Sequence, residues 1–194
     1  MSLVCVKHYR AMSRNDGEVN FMPIAKQTIT TDMGHIVIAA NRFGLSDLTF
    51  KPRETDSWAA RDIALIAATD ADKQLANEHL QQAKSEIEQY LLGKLTGFTV
   101  PLAPVGTVFQ HQVWQALLTQ PYGKSCSYSD IAHVIDNPNA VRAVGSANGA
   151  NHIAIIIPCH RIIGKSGTLT GYAYGLEIKQ QLLTLERGGV AGKL

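Results

Sequence analysis

The stretch Ser127 to Ala147, SYSDIAHVIDNPNAVRAVGSA, decides the fold of the second half of the chain. Ser127 to Ile135 reads as a short capped helix, Asn137-Pro138 as a turn, and Asn139 to Ala147 as a second helix. Helix, short turn and helix is the helix-turn-helix arrangement. The second helix is lined with Ala, Gly and Ser. Such residues permit tight packing between helices, and they also let a helix lie close against a nucleic-acid backbone; the pattern alone fits both.

Upstream, Thr107 with Gln110 forms a capping box, and Phe109, Val113, Ala116 and Leu117 supply the apolar face of a helix that Pro121-Tyr-Gly123 ends. Before it, Phe98 to Gly106 contains two prolines and a glycine and reads as a linker. The expected division is therefore residues 1–103 and 104–194. In the first part, His35 to Phe50 reads as an apolar strand, a turn at Asn41 to Gly44 and an alternating strand, which together make a hairpin. From Asp72 to Leu92, the residues Leu75, Leu80, Ala83, Ile87, Tyr90 and Leu91 recur at helical spacing, and Gly93 stands at the C-cap. Ser57 to Thr69 fits either a buried strand or a helix turn.

With 194 residues, 45% hydrophobic and 18% charged, the chain is globular in composition, which excludes disordered, collagen-like and coiled-coil classes. Its apolar runs, such as Ile153 to Pro158, fall far short of the roughly 20 residues of a membrane span. Lys7, His8, Arg10 and Arg14 precede no apolar stretch, so the start does not read as a secretory signal and a cytoplasmic location is expected. Cys5, Cys126 and Cys159 cannot all pair within one chain, which suits a reducing compartment. Net charge is only +2, but residues 104–194 carry seven Lys and Arg against four Asp and Glu, and four of the seven histidines. That half is the better candidate for touching phosphate.

Ile153 to Ile157 reads as a fully buried extended stretch that delivers Pro158-Cys159-His160-Arg161 to a loop. A thiol is only a few per cent ionised at neutral pH, so a working nucleophile needs a base and a positive field. His160 and Arg161 offer both, although sequence neighbours need not face one another. Cys159 as a small buried apolar residue is the alternative.

Pro158-Cys159-His160-Arg161 with Ile162-Ile163 and Gly164, Asn151 eight residues before the cysteine, Gly171-Tyr172-Ala173 and Leu182 to Glu186 together resemble the O6-alkylguanine-DNA alkyltransferase family. The likeness extends back through Ser127-Tyr128, Asn137-Pro138, Arg142 to Gly145 and the Phe109 to Gly123 segment, and so covers residues 104–194. The first half matches only weakly. The resemblance implies a small α/β N-terminal domain, a sheet with a helix, of mainly structural role, and a mainly α C-terminal domain of winged helix-turn-helix type. It implies repair by flipping O6-methylguanine out of duplex DNA and moving the alkyl group irreversibly to Cys159. O4-methylthymine is a further possible substrate.

On the same resemblance, His160 is the base acting through a bridging water, and Glu186 is the carboxylate that orients it. Asn151 holds the turn that places the cysteine, and Tyr172 lines the pocket. Backbone groups at Cys159, Ile162 and Ala173 read the guanine edge. Arg142 fills the hole left by the departed base, Tyr128 presses on the flanking phosphate, and Ala140 and Ala143 lie along the minor groove. Arg161 supports the loop or contacts phosphate. No cofactor is implied, because the damaged duplex is itself the alkyl donor, and one molecule is expected to act as a monomer and react once. A zinc site from Cys5, His8, His35 and His79 lacks ligand spacing, so no metal is expected.

Three positions depart from the family pattern. His152 and Ala154 stand where prolines are common, and Tyr174 where some members carry glycine; a phenol there is expected to narrow the entrance. A winged-helix transcription factor leaves Cys159 to Arg161 and Glu186 without work, and a cysteine hydrolase leaves Tyr128, Arg142 and the small-residue helix without work. A damage-binding relative without repair typically has tryptophan in place of the cysteine.

Overall fold

The computed structural model describes residues 8–13, 22–51 and 68–188. Ser57 to Thr69, the ambiguous segment, lies outside them except for its last two residues, and Cys5 lies outside them altogether.

Three antiparallel strands open the fold: β1 (Ala25–Thr31), β2 (Gly34–Asn41) and β3 (Gly44–Lys51), in that order across the sheet. The β2–β3 hairpin lies where its turn residues put it. Asn41 Oδ1 accepts the Phe43 amide at 2.9 Å, and a Cβ at Gly44 would stand 2.4 Å from the Pro101 carbonyl oxygen, so this turn admits only glycine. A bulge between Ala39 and Ala40 shifts the register. β1, which carries less apolar alternation than the other two strands, was not evident in the sequence.

Helix α1 (Asp70–Leu91) packs across this sheet and starts at a capping box of Thr69 and Asp72. Its buried stripe is Ala76, Leu80, Ala83, Ile87, Tyr90 and Leu91. Leu75, expected in that stripe, is 42% exposed, because Ala76 is the residue in phase with Leu80 and Ala83.

The second half is mainly helical. Helix α2 (Val108–Leu118) starts at the Thr107–Gln110 capping box, and buried Trp114 donates its indole N–H to Ala147 O at 2.9 Å, tying α2 to the helix that follows in the motif. After the two-residue strand β4 (Cys126–Ser127) come α3 (Tyr128–Val134), capped by Ser127, and α4 (Val141–Gly149). The second helix of the motif thus begins and ends two residues later than expected, with Ala140 as its N-cap, since the turn after Asn137-Pro138 extends through it. A 3₁₀ turn (Cys159–Arg161) leads into β5 (Ile162–Ile163), which pairs parallel with β4, and α5 (Leu176–Glu186) closes the fold.

One expectation is corrected here. Ile153 to Ile157 is buried but not extended: it is a compact turn, with Ile157 N donating to Ile153 O at 3.0 Å and Ile155 at φ +67. An unbroken apolar run marks burial without fixing the backbone, and Asn151 supplies the local bonds that bend it. The Phe98 to Gly106 segment, read as a linker, forms no helix or named strand and packs against the core. Phe98, Val100, Leu102 and Ala103 are buried, and Leu45 N donates to Pro101 O at 2.8 Å. One core of buried residues runs from Ile29 to Leu185 across both halves. Leu48 of β3 pairs with the C-terminal half as well, receiving Ala154 N at 2.9 Å and donating to His152 O at 2.7 Å. Among the described residues no helix is long and apolar enough to cross a membrane.

Candidate active site

The site begins with Asn151. Its Nδ2 donates to Ile157 O at 2.9 Å and to Cys159 Sγ at 3.1 Å, while its Oδ1 accepts Ile153 N at 3.0 Å. One side chain therefore folds the apolar turn and holds the sulfur that the turn delivers. Cys159 is 3% exposed and His160 is fully buried. Burial pushes the Cys159 thiol up, opposed by the Asn151 amide and the nearby Tyr172 hydroxyl. The group at rest is thus a thiol, and any nucleophilic use of it would call for a base.

His160 Nε2 lies 2.9 Å from Glu186 Oε1. Burial of Glu186 favours its neutral form, but the hydrogen bonds from His160 and Arg161 and their positive field outweigh this and hold the carboxyl well below the usual range. An ionised acceptor requires Nε2 to carry the hydrogen, so the lone pair of the neutral ring sits on Nδ1, which has no hydrogen-bond partner among the described residues. Burial lowers the His160 pKa and Glu186 opposes the shift, so the ring is neutral at pH 7 and able to accept a proton.

Glu186 is the most heavily bonded group of the molecule's interior. Oε1 also accepts Arg161 Nη2 at 2.8 Å and the Tyr90 hydroxyl at 2.8 Å, and Oε2 accepts Arg161 Nε at 2.9 Å and Gly123 N at 3.0 Å. Gly123 (φ +72) would carry a Cβ 2.7 Å from Glu186 O, so the loop after α2 fits against α5 only with glycine at this position. Arg161 Nη1 donates to Gln120 O at 2.7 Å. Of its two expected roles, the buried guanidinium fills the supporting one, and it does not face solvent to meet phosphate.

Tyr172 packs edge-on to Tyr174 at 5.4 Å between ring centroids, and Tyr174 in turn lies 5.4 Å from Phe50 of β3. Ala173 is exposed, whereas Ile162 is fully buried and its carbonyl already receives Lys179 Nζ at 2.5 Å. At the departure positions, the His152 ring packs on Trp114, and Ala154 donates the amide to Leu48 that a proline would lack.

Along α4, Arg142, Ala143, Ser146 and Gly149 are exposed while Val144, Ala147 and Asn148 are buried, so a small-residue face with one cation looks outward. Ala140 is half-buried at the cap. Tyr128, half-buried at the start of α3, reaches Thr170 Oγ1 with its hydroxyl at 3.3 Å and packs beside Gly145. The structure thus joins Asn151, Cys159, His160, Glu186 and Tyr172 in one buried cluster and leaves Arg142 and Ala143 on an outer face. Among the described residues no three His, Cys, Asp or Glu side chains form a metal-holding group.

Sequence reasoning missed Tyr90, Gly123 and Lys179. Lys179 has a signal in hindsight: together with Leu182, Leu183 and Glu186 it falls on the buried stripe of α5, where a lysine is out of place. Tyr90 has none, since its apolar spacing marks it only as core.

Comparison with known proteins gives concordant matches. Residues 24–104 match the family described as 6-O-methylguanine DNA methyltransferase, ribonuclease-like domain, and residues 108–188 match its DNA binding domain. A methylated-DNA–protein-cysteine methyltransferase of Methanosarcina acetivorans is 44% identical over 159 residues, covering 79% of this chain and 92% of the relative. A constitutive one of Bacillus subtilis is 40% identical, covering 82% and 93%. The crystal structure of Mycobacterium tuberculosis OGT in complex with DNA superposes with a TM-score of 0.69 at 40% identity, covering 84% of this chain and 92% of that one.

Proposed function

Since the chain belongs to the 6-O-methylguanine DNA methyltransferase family, a group of DNA-binding repair proteins that move an alkyl group from damaged guanine to a cysteine, we propose that its acceptor is Cys159. The observation that carries this reading is a pair of buried contacts on neighbouring residues, Asn151 Nδ2 on Cys159 Sγ and Glu186 Oε1 on His160 Nε2.

The chemistry follows from the protonation states. His160 Nδ1 takes the thiol proton through a bridging water, and Sγ attacks the alkyl carbon in line with its bond to guanine O6. The S–C bond forms as the C–O6 bond breaks, the electron pair stays on O6, and protonation of the base restores guanine. His160 returns to neutrality by releasing its proton. The thioether has no easy route back to a thiol, so each molecule, acting as a monomer, reacts once. No cofactor takes part.

A reacting carbon inside a duplex stays out of reach until the nucleotide is extruded, at a cost of a few kcal/mol. The outward face of α4 lies in the minor groove with Ala140 and Ala143 against the backbone, Arg142 occupies the vacated space, and Tyr128 presses on the flanking phosphate. Tyr172 lines the pocket and backbone groups of Cys159, Ile162 and Ala173 read the base. The Ile162 carbonyl keeps one lone pair for this beside its bond to Lys179.

The test is intact-protein mass followed by peptide mapping after mixing with excess duplex that contains one O6-methylguanine. The expected result is a single methyl on Cys159, capped at one per molecule and absent from Cys159→Ala. Methyl on Cys126 instead would refute the assignment; burial holds that thiol up at about 11, which disfavours it. Binding without transfer would make the protein a damage sensor. O4-methylthymine in the same assay reads the substrate range.

A further inference from the structure

The carboxylate of the site is not held by the second half of the chain alone. Tyr90, near the end of α1, is fully buried, and its hydroxyl donates to Glu186 Oε1 at 2.8 Å. This is the same oxygen that receives His160 Nε2 at 2.9 Å and Arg161 Nη2 at 2.8 Å. The phenol ring is fixed by a tilted contact with Phe98 at 5.4 Å and an edge contact with Tyr122 at 6.1 Å. Burial and the Glu186 charge both keep Tyr90 protonated, so it stays a donor wherever the protein is folded.

A carboxylate oxygen shares a finite charge among its donors. Every donor added to Oε1 weakens the pull of Glu186 on the imidazole N–H and so makes Nδ1 less basic. We propose that Tyr90 is a positioning residue of the alkyl transfer, contributed by the N-terminal half, whose hydroxyl orients Glu186 and sets how much of its charge reaches His160. The inference rests on the Cys159, His160 and Glu186 reading above. The other groups facing Glu186 are Tyr122 and the Gly123 amide from the loop after α2 and Arg161 from the 3₁₀ turn; Lys179 and Cys159 complete the titratable surroundings of His160.

Tyr90→Phe keeps the ring and removes the hydroxyl. The experiment follows single-turnover methyl transfer from an O6-methylguanine duplex as a function of pH, in full-length wild type and variant, together with the ¹⁵N shifts of His160. The expected result is an acid limb moved upward by about half to one pH unit, with the rate roughly three- to tenfold lower below the wild-type midpoint and within about twofold on the alkaline plateau. The His160 titration moves the same way. Replacing Tyr90 by a fluorotyrosine, a stronger donor of nearly the same shape, moves both downward and provides the check should the Phe variant fold poorly. A uniform loss at every pH with His160 unchanged, or a profile that overlays the wild type, overturns the proposal. Methyl transfer to Cys159→Ala, or wild-type rates in Glu186→Gln, would instead overturn the underlying reading, whatever Tyr90→Phe does.

Discussion

At the scale of single residues, the site is a set of buried polar groups whose charge states depend on one another, and the pH dependence of stability follows. His160 is held below its ordinary 6.5 by burial, and Glu186 is held below its ordinary 4.5 because bonds from His160 and Arg161 outweigh its own burial. In both cases the unfolded chain binds protons more tightly than the folded one, so stability rises with pH. The His160 contribution is complete above about pH 6.5 and is lost as pH falls through its lower folded value; the Glu186 contribution follows below about pH 4.5. Urea midpoints measured from about pH 8 to about pH 2 are expected to decline in these two stages, with the first abolished in His160→Gln. Tyr174 makes a second residue-scale prediction. Its ring packs against Tyr172 and Phe50, and on the proposed reading it narrows the approach to the thiol, so O6-benzylguanine is expected to react more slowly than O6-methylguanine. Tyr174→Gly should raise the benzyl-to-methyl rate ratio by roughly tenfold. Equal rates for the two bases in the wild type would contradict the assignment.

At the scale of elements, α4 on the proposed reading keeps recognition apart from chemistry. Its exposed face offers Arg142 among Ala143, Ser146 and Gly149, while its buried face is locked to α2 by Trp114. Arg142→Ala leaves the thiol, base and carboxylate untouched. It is therefore expected to slow repair of duplex about tenfold or more and reaction with free O6-methylguanine base by less than about twofold. Parallel rate measurements on the two substrates check this, and equal losses would remove Arg142 from the extrusion role. The elements also show what the sequence made legible. The capping box at Thr107, the capped start at Ser127, the Asn41 to Gly44 turn and the helical stripe before Gly93 are local signals, and the structure has them in place except for Leu75, which lies off the stripe. The Ile153 to Ile157 turn was not legible, because its bend depends on an Asn151 side chain that also satisfies the sulfur. The pairing of His160 with Glu186 was suggested only by the resemblance to a family, and Tyr90, 96 residues from Glu186, by no local pattern at all.

At the scale of the whole molecule, a division near residue 103 in sequence is not a division of the core. β3 exchanges backbone hydrogen bonds with His152 and Ala154, Leu45 is bonded to Pro101 and Ala103, and Tyr90 bonds Glu186. These contacts place the Ile153 to Ile157 turn directly on the edge of the N-terminal sheet, which also covers backbone groups that an edge strand would otherwise leave open. A disturbance in the hairpin should therefore reach the thiol. Gly44 is the sharpest place to apply one, since an added Cβ meets the Pro101 backbone at 2.4 Å and the glycine φ of +150 suits no other residue. Gly44→Ala is expected to cost about 2 kcal/mol or more of stability. Two probes read it: far-UV circular dichroism for the whole chain, and the fluorescence of Trp114, which sits in the core between α2 and α4, with Trp58 replaced by Phe. If the two halves share one cooperative unit, both probes move to the same lower denaturant midpoint in the variant, although Gly44 and Trp114 lie in different halves. A Trp114 transition left at the wild-type midpoint would mean that the halves unfold separately, and that the bonds crossing from β3 and α1 do not transmit stability to the site.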